Sequence, residues 1–116
     1  MSGAQEGRGL IAVGRAESLA DLLQLAPNGI ASRVIARSGG GNVTLFAIDE
    51  GEGLSEHTTP FEALALVLQG RMRIQIADAV MTVSAGQAVR MPANVPHAVH
   101  AEQPSRMMLV MLRGES

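Results

Sequence analysis

The stretch Gly86 to His100, GQAVRMPANVPHAVH, decides how the rest of the chain is read. It opens on a glycine turn at Ser84-Ala85-Gly86, runs through a short apolar strand from Ala88 to Met91, and turns again between Pro92 and Pro96. His97 then stands at the start of the next strand-like run. Proline fixes φ and cannot donate to a sheet ladder, so these two residues set where that strand begins. Where a strand begins also fixes where its first side chain points, which makes His97 the best-placed candidate for chemistry. His100 lies in the same stretch, and the remaining histidine, His57, sits in an earlier stretch of similar design.

Outward from this stretch, the pattern is one of short strands. Arg71 to Ala77 alternates cleanly, with Met72, Ile74 and Ile76 on one side and Arg71, Arg73 and Gln75 on the other, which is the period of a strand. Asp78-Ala79 reads as a hairpin turn into Val80 to Val83. Ser32 to Arg37, Asn42 to Ile48, Ser55 to Thr59, Phe61 to Gln69, His97 to Ala101 and Arg106 to Leu112 complete the set, and Leu10 to Val13 reads as a short edge strand. About eight to ten strands at this spacing suit a sandwich or barrel. One helix is expected, in SLADLLQLAP, with Ser18 as N-cap, a stripe of Leu19, Leu22 and Leu23, and Pro27 as the stop. Residues 1–9 are polar and glycine-rich and read as a loose tail, ahead of one domain over 10–116.

Composition limits the function classes. The chain has 116 residues, of which 47% are hydrophobic and 17% charged, enough apolar content for one core at this length. Trp and Tyr are absent and Phe occurs twice, so the core must be aliphatic, with seven Met as filler. A net charge of −2 without a basic patch, and with almost no aromatic rings for stacking, argues against nucleic acid as a partner. The absence of cysteine removes disulfides, thiolate metal sites and cysteine nucleophiles. No run approaches the roughly 20 apolar residues of a membrane span, and the N-terminus has no apolar signal core, so the expected location is the cytoplasm. Ala63 to Gln69 is apolar on both faces, with Leu64, Leu66 and Leu68 on one and Ala63, Ala65 and Val67 on the other. A strand of this kind is buried on both sides, so a second sheet or a partner subunit is expected over the far face, and the assembly is expected to be a homodimer.

The spacing around the two histidine-bearing stretches resembles the cupin superfamily, in particular its small single-domain, RmlC-like conserved-barrel members. The second cupin motif runs G-x5-P-x-G-x2-H, and Gly86, Pro92 and His97 fall at those intervals, with Asn94 in place of the middle glycine. Asn is among the residues that tolerate positive φ, so the exchange is mild. In the first motif Gly51, His57 and Gly70 are in register, but Thr59 stands at the second histidine position and Ala63 at the glutamate position, with Glu62 one residue early. The resemblance covers roughly residues 30–112 and implies an all-β double-stranded β-helix, a jelly-roll-like barrel. It further implies a pocket for a small organic molecule inside that barrel, lined by His57, Thr59, Ala63 and His97.

In the family the motif side chains hold one divalent metal, and imidazole with carboxylate suits Fe, Mn, Ni, Cu or Zn. Here the resemblance retains His57 and His97 as metal candidates, with Glu62 and His100 as weaker ones. Glu62 has the opposite strand parity to His57, and His100 the opposite parity to His97. Three functions stay open, the third of them a mainly structural dimer. One is an enzyme of oxygenase, isomerase or lyase type, in which His57 and His97 hold a metal or form an acid–base pair. The alternative is a non-catalytic ligand-binding or sensing cupin that has lost the full metal site.

Overall fold

A computed structural model describes residues 9–113. Nine strands follow one another: β1 (Ile30–Ser38), β2 (Gly41–Ile48), β3 (Gly53–His57), β4 (Glu62–Gln69), β5 (Arg71–Ile76), β6 (Ala79–Ser84), β7 (Ala88–Met91), β8 (His97–Ala101) and β9 (Ser105–Leu112). They form two antiparallel sheets, one of five strands in the order β1-β2-β9-β4-β7 and one of four in the order β3-β8-β5-β6. This is the all-β cupin fold that the motif spacing implies. The β5–β6 turn falls one residue earlier than expected, at Ala77-Asp78, so that Ile76 pairs with Ala79.

The expected helix does not form. Only a 3-10 turn, Leu19–Asp21, is present, and the Ser18 side chain makes no capping hydrogen bond. The physical reason lies in the carbonyls. A helix through this segment would ask the Leu23 carbonyl to accept from residue 27, which is a proline without an N–H. Instead Arg106 Nε donates to Leu23 O at 3.2 Å, and Arg33 donates to Leu22 O at 3.1 Å and Gly9 O at 2.7 Å. These guanidinium groups fasten the N-terminal segment across the outer face of the five-stranded sheet. Leu10 to Val13 is not a strand either, although Ile11 donates one hydrogen bond to Ile35 O. Residues 1–8 of the expected tail lie outside the described residues.

The core sits between the sheets. Ala63, Ala65 and Val67 of β4 face inward with Met107 of β9 and Met91 of β7, against Met72, Ile74, Val83, Val99 and Ala101 of the other sheet. Ile48, Met72, Ile74, Met91 and Met107 are the largest of the fully buried side chains, so the aliphatic, methionine-filled core expected from composition is the one that forms. Burying each such side chain contributes about 1.5–3 kcal/mol. One polar residue is wholly enclosed: Ser105 Oγ accepts from Arg71 N at 3.1 Å and donates to Gln103 O at 2.8 Å, so its burial leaves no unmet hydrogen-bonding group. Among the described residues, no helix is long and apolar enough to cross a membrane.

Candidate functional site

The two motif stretches meet at one end of the four-stranded sheet. β3 pairs with β8, and His57 is the direct partner of His97. The pairing is not regular. Leu54 pairs with Val99 and His57 with His97, so β3 spends three residues where β8 spends two. An extra residue of this kind is a bulge, and it re-aims the side chains that follow. Here it turns His57 to the same face as Leu54, toward His97. The two rings meet edge to face, with centroids 4.4 Å apart and planes at 68°. His97 is buried at 6% exposure, while His57 is exposed, so the pair spans the rim of the barrel.

Backbone carbonyls orient both rings. His57 Nδ1 lies 2.6 Å from Ser55 O, and His97 Nδ1 lies 3.3 Å from Val95 O. A carbonyl oxygen can only accept, so in each ring Nδ1 carries a hydrogen, and a neutral ring held this way has its lone pair on Nε2. Burial pushes the His97 pKa below its ordinary value, and the neighbouring His57 pushes it the same way, against the opposing effect of the Val95 carbonyl. His97 therefore stays neutral at neutral pH.

The turn between β7 and β8 holds this arrangement in place. Asn94 has φ 65° and Gly86 φ 89°, so the asparagine adopts the left-handed conformation that the motif's middle glycine would supply. Asn94 N donates to Thr59 O at 2.7 Å, and Ala93 N donates to Glu62 Oε2 at 3.1 Å. These bonds tie the second motif stretch to the first.

The other candidate residues make contacts of their own. Thr59 is half-buried, and its hydroxyl lies 3.3 Å from both the N and the O of Phe61, within its own turn. Ala63 is buried in the core opposite Met111 and Met91. Glu62 pairs in register with Leu112, and its other oxygen lies 3.3 Å from Arg90 Nη1. His100 pairs in register with Arg73 and Gly53, on the face of the sheet opposite to Ile74 and Val99. Among the described residues, no three His, Cys, Asp or Glu side chains come together as a metal-binding group. Catalytic metal sites ordinarily rest on three protein ligands. Two imidazole nitrogens do not fit a resident metal, and neither Glu62 nor His100 completes the set.

Sequence reasoning missed a second constellation. At the β1–β2 hairpin, Arg37, Asn42 and Met111 line a hollow that reaches Phe61 and Arg113. The residues come from three separate stretches, and no local spacing relates them.

The family described as Cupin domain matches residues 44–113, more than half of the chain. Among solved structures, a conserved protein of unknown function from Streptococcus pyogenes is 27% identical, with 91% of this chain and 93% of that chain covered and a TM-score of 0.85. A cupin superfamily protein from Desulfitobacterium hafniense is 26% identical, over 91% of this chain and 96% of that chain, with a TM-score of 0.83. A cupin 2 conserved barrel domain protein from Leptotrichia buccalis is 29% identical over 81% of this chain but only 46% of its own, with a TM-score of 0.77. No curated protein matches.

Proposed function

The chain belongs to the Cupin domain family, and from that premise we propose that it binds a small organic molecule beside the His57–His97 pair without a resident metal. The observation that carries this reading is the anchoring of both Nδ1 atoms on backbone carbonyls. It leaves a neutral His97 with a fixed Nε2 acceptor and, beside it, a His57 ring anchored in the same way, at the rim of an apolar barrel. Such a pair accepts hydrogen bonds from a hydroxyl or amine on the bound molecule, while the apolar surroundings take its carbon frame. With Thr59 and Ala63 at two of the family's ligand positions, the non-catalytic binding or sensing role is favoured over a metal-dependent oxygenase, isomerase or lyase.

The test begins with protein purified without added metal and without a His-tag. Elemental analysis is expected to find far less than one metal per chain, with no gain after adding Fe, Mn, Ni or Zn. Near-stoichiometric metal that is lost in both His57→Ala and His97→Ala would overturn the proposal in favour of a metalloenzyme. In parallel, a panel of small hydroxylated and amino compounds is screened by thermal shift, since a ligand selective for the folded state raises stability with its concentration. A hit is expected to lose its shift in His97→Ala, and a hit indifferent to both histidines would count against this site.

A further inference from the structure

We infer that Asn28 is a modification site: its side-chain amide is lost through attack by the Gly29 nitrogen, and the folded turn around it holds that reaction back. Asparagine stands at 28, 42 and 94, and only Asn28 precedes a glycine; Asn42 precedes Val43 and Asn94 precedes Val95. Glycine has no Cβ, so nothing shields its backbone nitrogen from a carbonyl carbon, whereas a β-branched neighbour crowds it. Asn28 is exposed, so water reaches it. Neither His57 nor His97 takes part, and the inference is independent of the proposed function.

The reaction needs only water. Gly29 N gives up its proton to solvent and bonds to Asn28 Cγ. The Cγ–Nδ2 bond breaks, and Nδ2 takes a proton and leaves as ammonia. Water then opens the resulting cyclic imide at either carbonyl, which yields aspartate or isoaspartate at residue 28. No oxidant or reductant is consumed. Isoaspartate adds a methylene to the main chain at this point, so the product does not fit the original turn.

The fold guards the attacking atom. Pro27 and Asn28 are the central residues of a turn closed by Gly29 N, which donates to Ala26 O at 3.1 Å. Asn28 takes φ 59°, the left-handed conformation that the second central position of such a turn favours and asparagine tolerates. Asp49 clamps the other side: its N donates to Gly29 O at 3.1 Å, and its Oδ2 accepts from Asn28 N at 2.6 Å. This clamp lies just beyond the Ile30–Ile48 pair that ends the β1–β2 ladder. The nitrogen that must attack is therefore committed to Ala26, and the peptide that must rotate is tied to Asp49. Asn94 supplies an internal comparison, since it is also exposed and has φ 65° but is followed by valine.

The experiment incubates the full chain in mildly alkaline buffer, folded and in guanidinium chloride, and follows each asparagine by peptide mass spectrometry. In denaturant, Asn28 is expected to be consumed before Asn42 or Asn94 shows measurable loss. In the folded chain its conversion is expected to slow by about tenfold or more, the factor for opening two ordinary hydrogen bonds. Asp49→Ala is expected to speed conversion in the folded chain at least about threefold, since one bond of the clamp is gone. Gly29→Ala is expected to slow it in denaturant, and the variant should fold, because an added Cβ meets nothing closer than Ala26 Cβ at 3.7 Å. The modification site is overturned if Asn28 reacts no faster than Asn94 in denaturant, or if Gly29→Ala leaves its rate unchanged there. The guarding role of the turn is overturned if folded and unfolded chains react alike, or if Asp49→Ala matches the original protein.

Discussion

At the scale of single residues, His97 couples the site to stability. Its pKa lies below the ordinary value of 6.5 in the folded chain, chiefly through burial. The unfolded chain therefore binds a proton more readily, and stability rises with pH where the two states differ in protonation. The contribution is complete above about pH 6.5 and is lost as pH falls from there through the lower folded pKa. Denaturant unfolding at a series of pH values should show this loss in the original protein and a flatter profile in His97→Asn. An unchanged slope in the variant would remove His97 as the cause. Asp49 acts in a separate, more acidic window: hydrogen bonds from Asn28 N and Glu50 N hold its carboxyl below the model-compound value of 3.8, so its contribution is lost only as pH falls through that lower range. The importance of His97 was legible from its place after Pro96. The direction of the His57 ring was not, because it depends on a bulge that appears only when β3 is laid against β8.

At the scale of elements, the joint between β4 and β5 is the most demanding. Gly70 has φ 87°, and a Cβ added there would run into Ser105 Oγ and the Pro104 carbonyl. Ser105 is itself enclosed and bonded to Arg71 N and Gln103 O. Gly70→Ala must therefore bear left-handed strain and displace a satisfied buried hydroxyl, a combined cost of about 2–4 kcal/mol. Urea titration measures it, and a loss below about 0.5 kcal/mol, the size of an ordinary surface change, would contradict this account. The strands themselves were readable because their two-residue period survives in sequence, as in Arg71 to Ile76. The helix expected after Ser18 was misread because local pattern cannot register Arg33 and Arg106, which take up the carbonyls of Leu22 and Leu23 from the sheet below.

At the scale of the whole molecule, the outer faces of the two sheets differ in character. Arg71 and Arg73 reach Glu102 at 2.9 and 3.3 Å over the four-stranded sheet, a face that also carries Gln75 and His100. Over the five-stranded sheet, Leu64 pairs with Val110 and Leu66 with Met108, all half-buried rather than enclosed. Part of that face is already covered: Leu45 and Ala47 have outward parity yet are 2% and 0% exposed, beside the Arg33 and Arg106 that hold the N-terminal segment. The uncovered part is apolar over Leu64, Leu66, Met108 and Val110, with the Glu62–Arg90 ion pair beside it, and a second copy of the chain is the expected occupant. Sedimentation should show a dimer that Leu66→Lys converts to monomer without unfolding. A concentration-independent monomer for the original chain would rule the dimer out.

The sequence by itself determined the all-β architecture, the aliphatic core and the meeting of His57 with His97. Strand period, turn residues and motif spacing are local properties that persist along the chain. Only the tertiary structure decided that Glu62 turns to Arg90, that the N-terminal segment lies unwound across a sheet, and that Arg37 and Arg113 share one hollow. Those outcomes depend on which strand lies beside which and in what register. That is set by burial over the whole fold and not by neighbours in sequence.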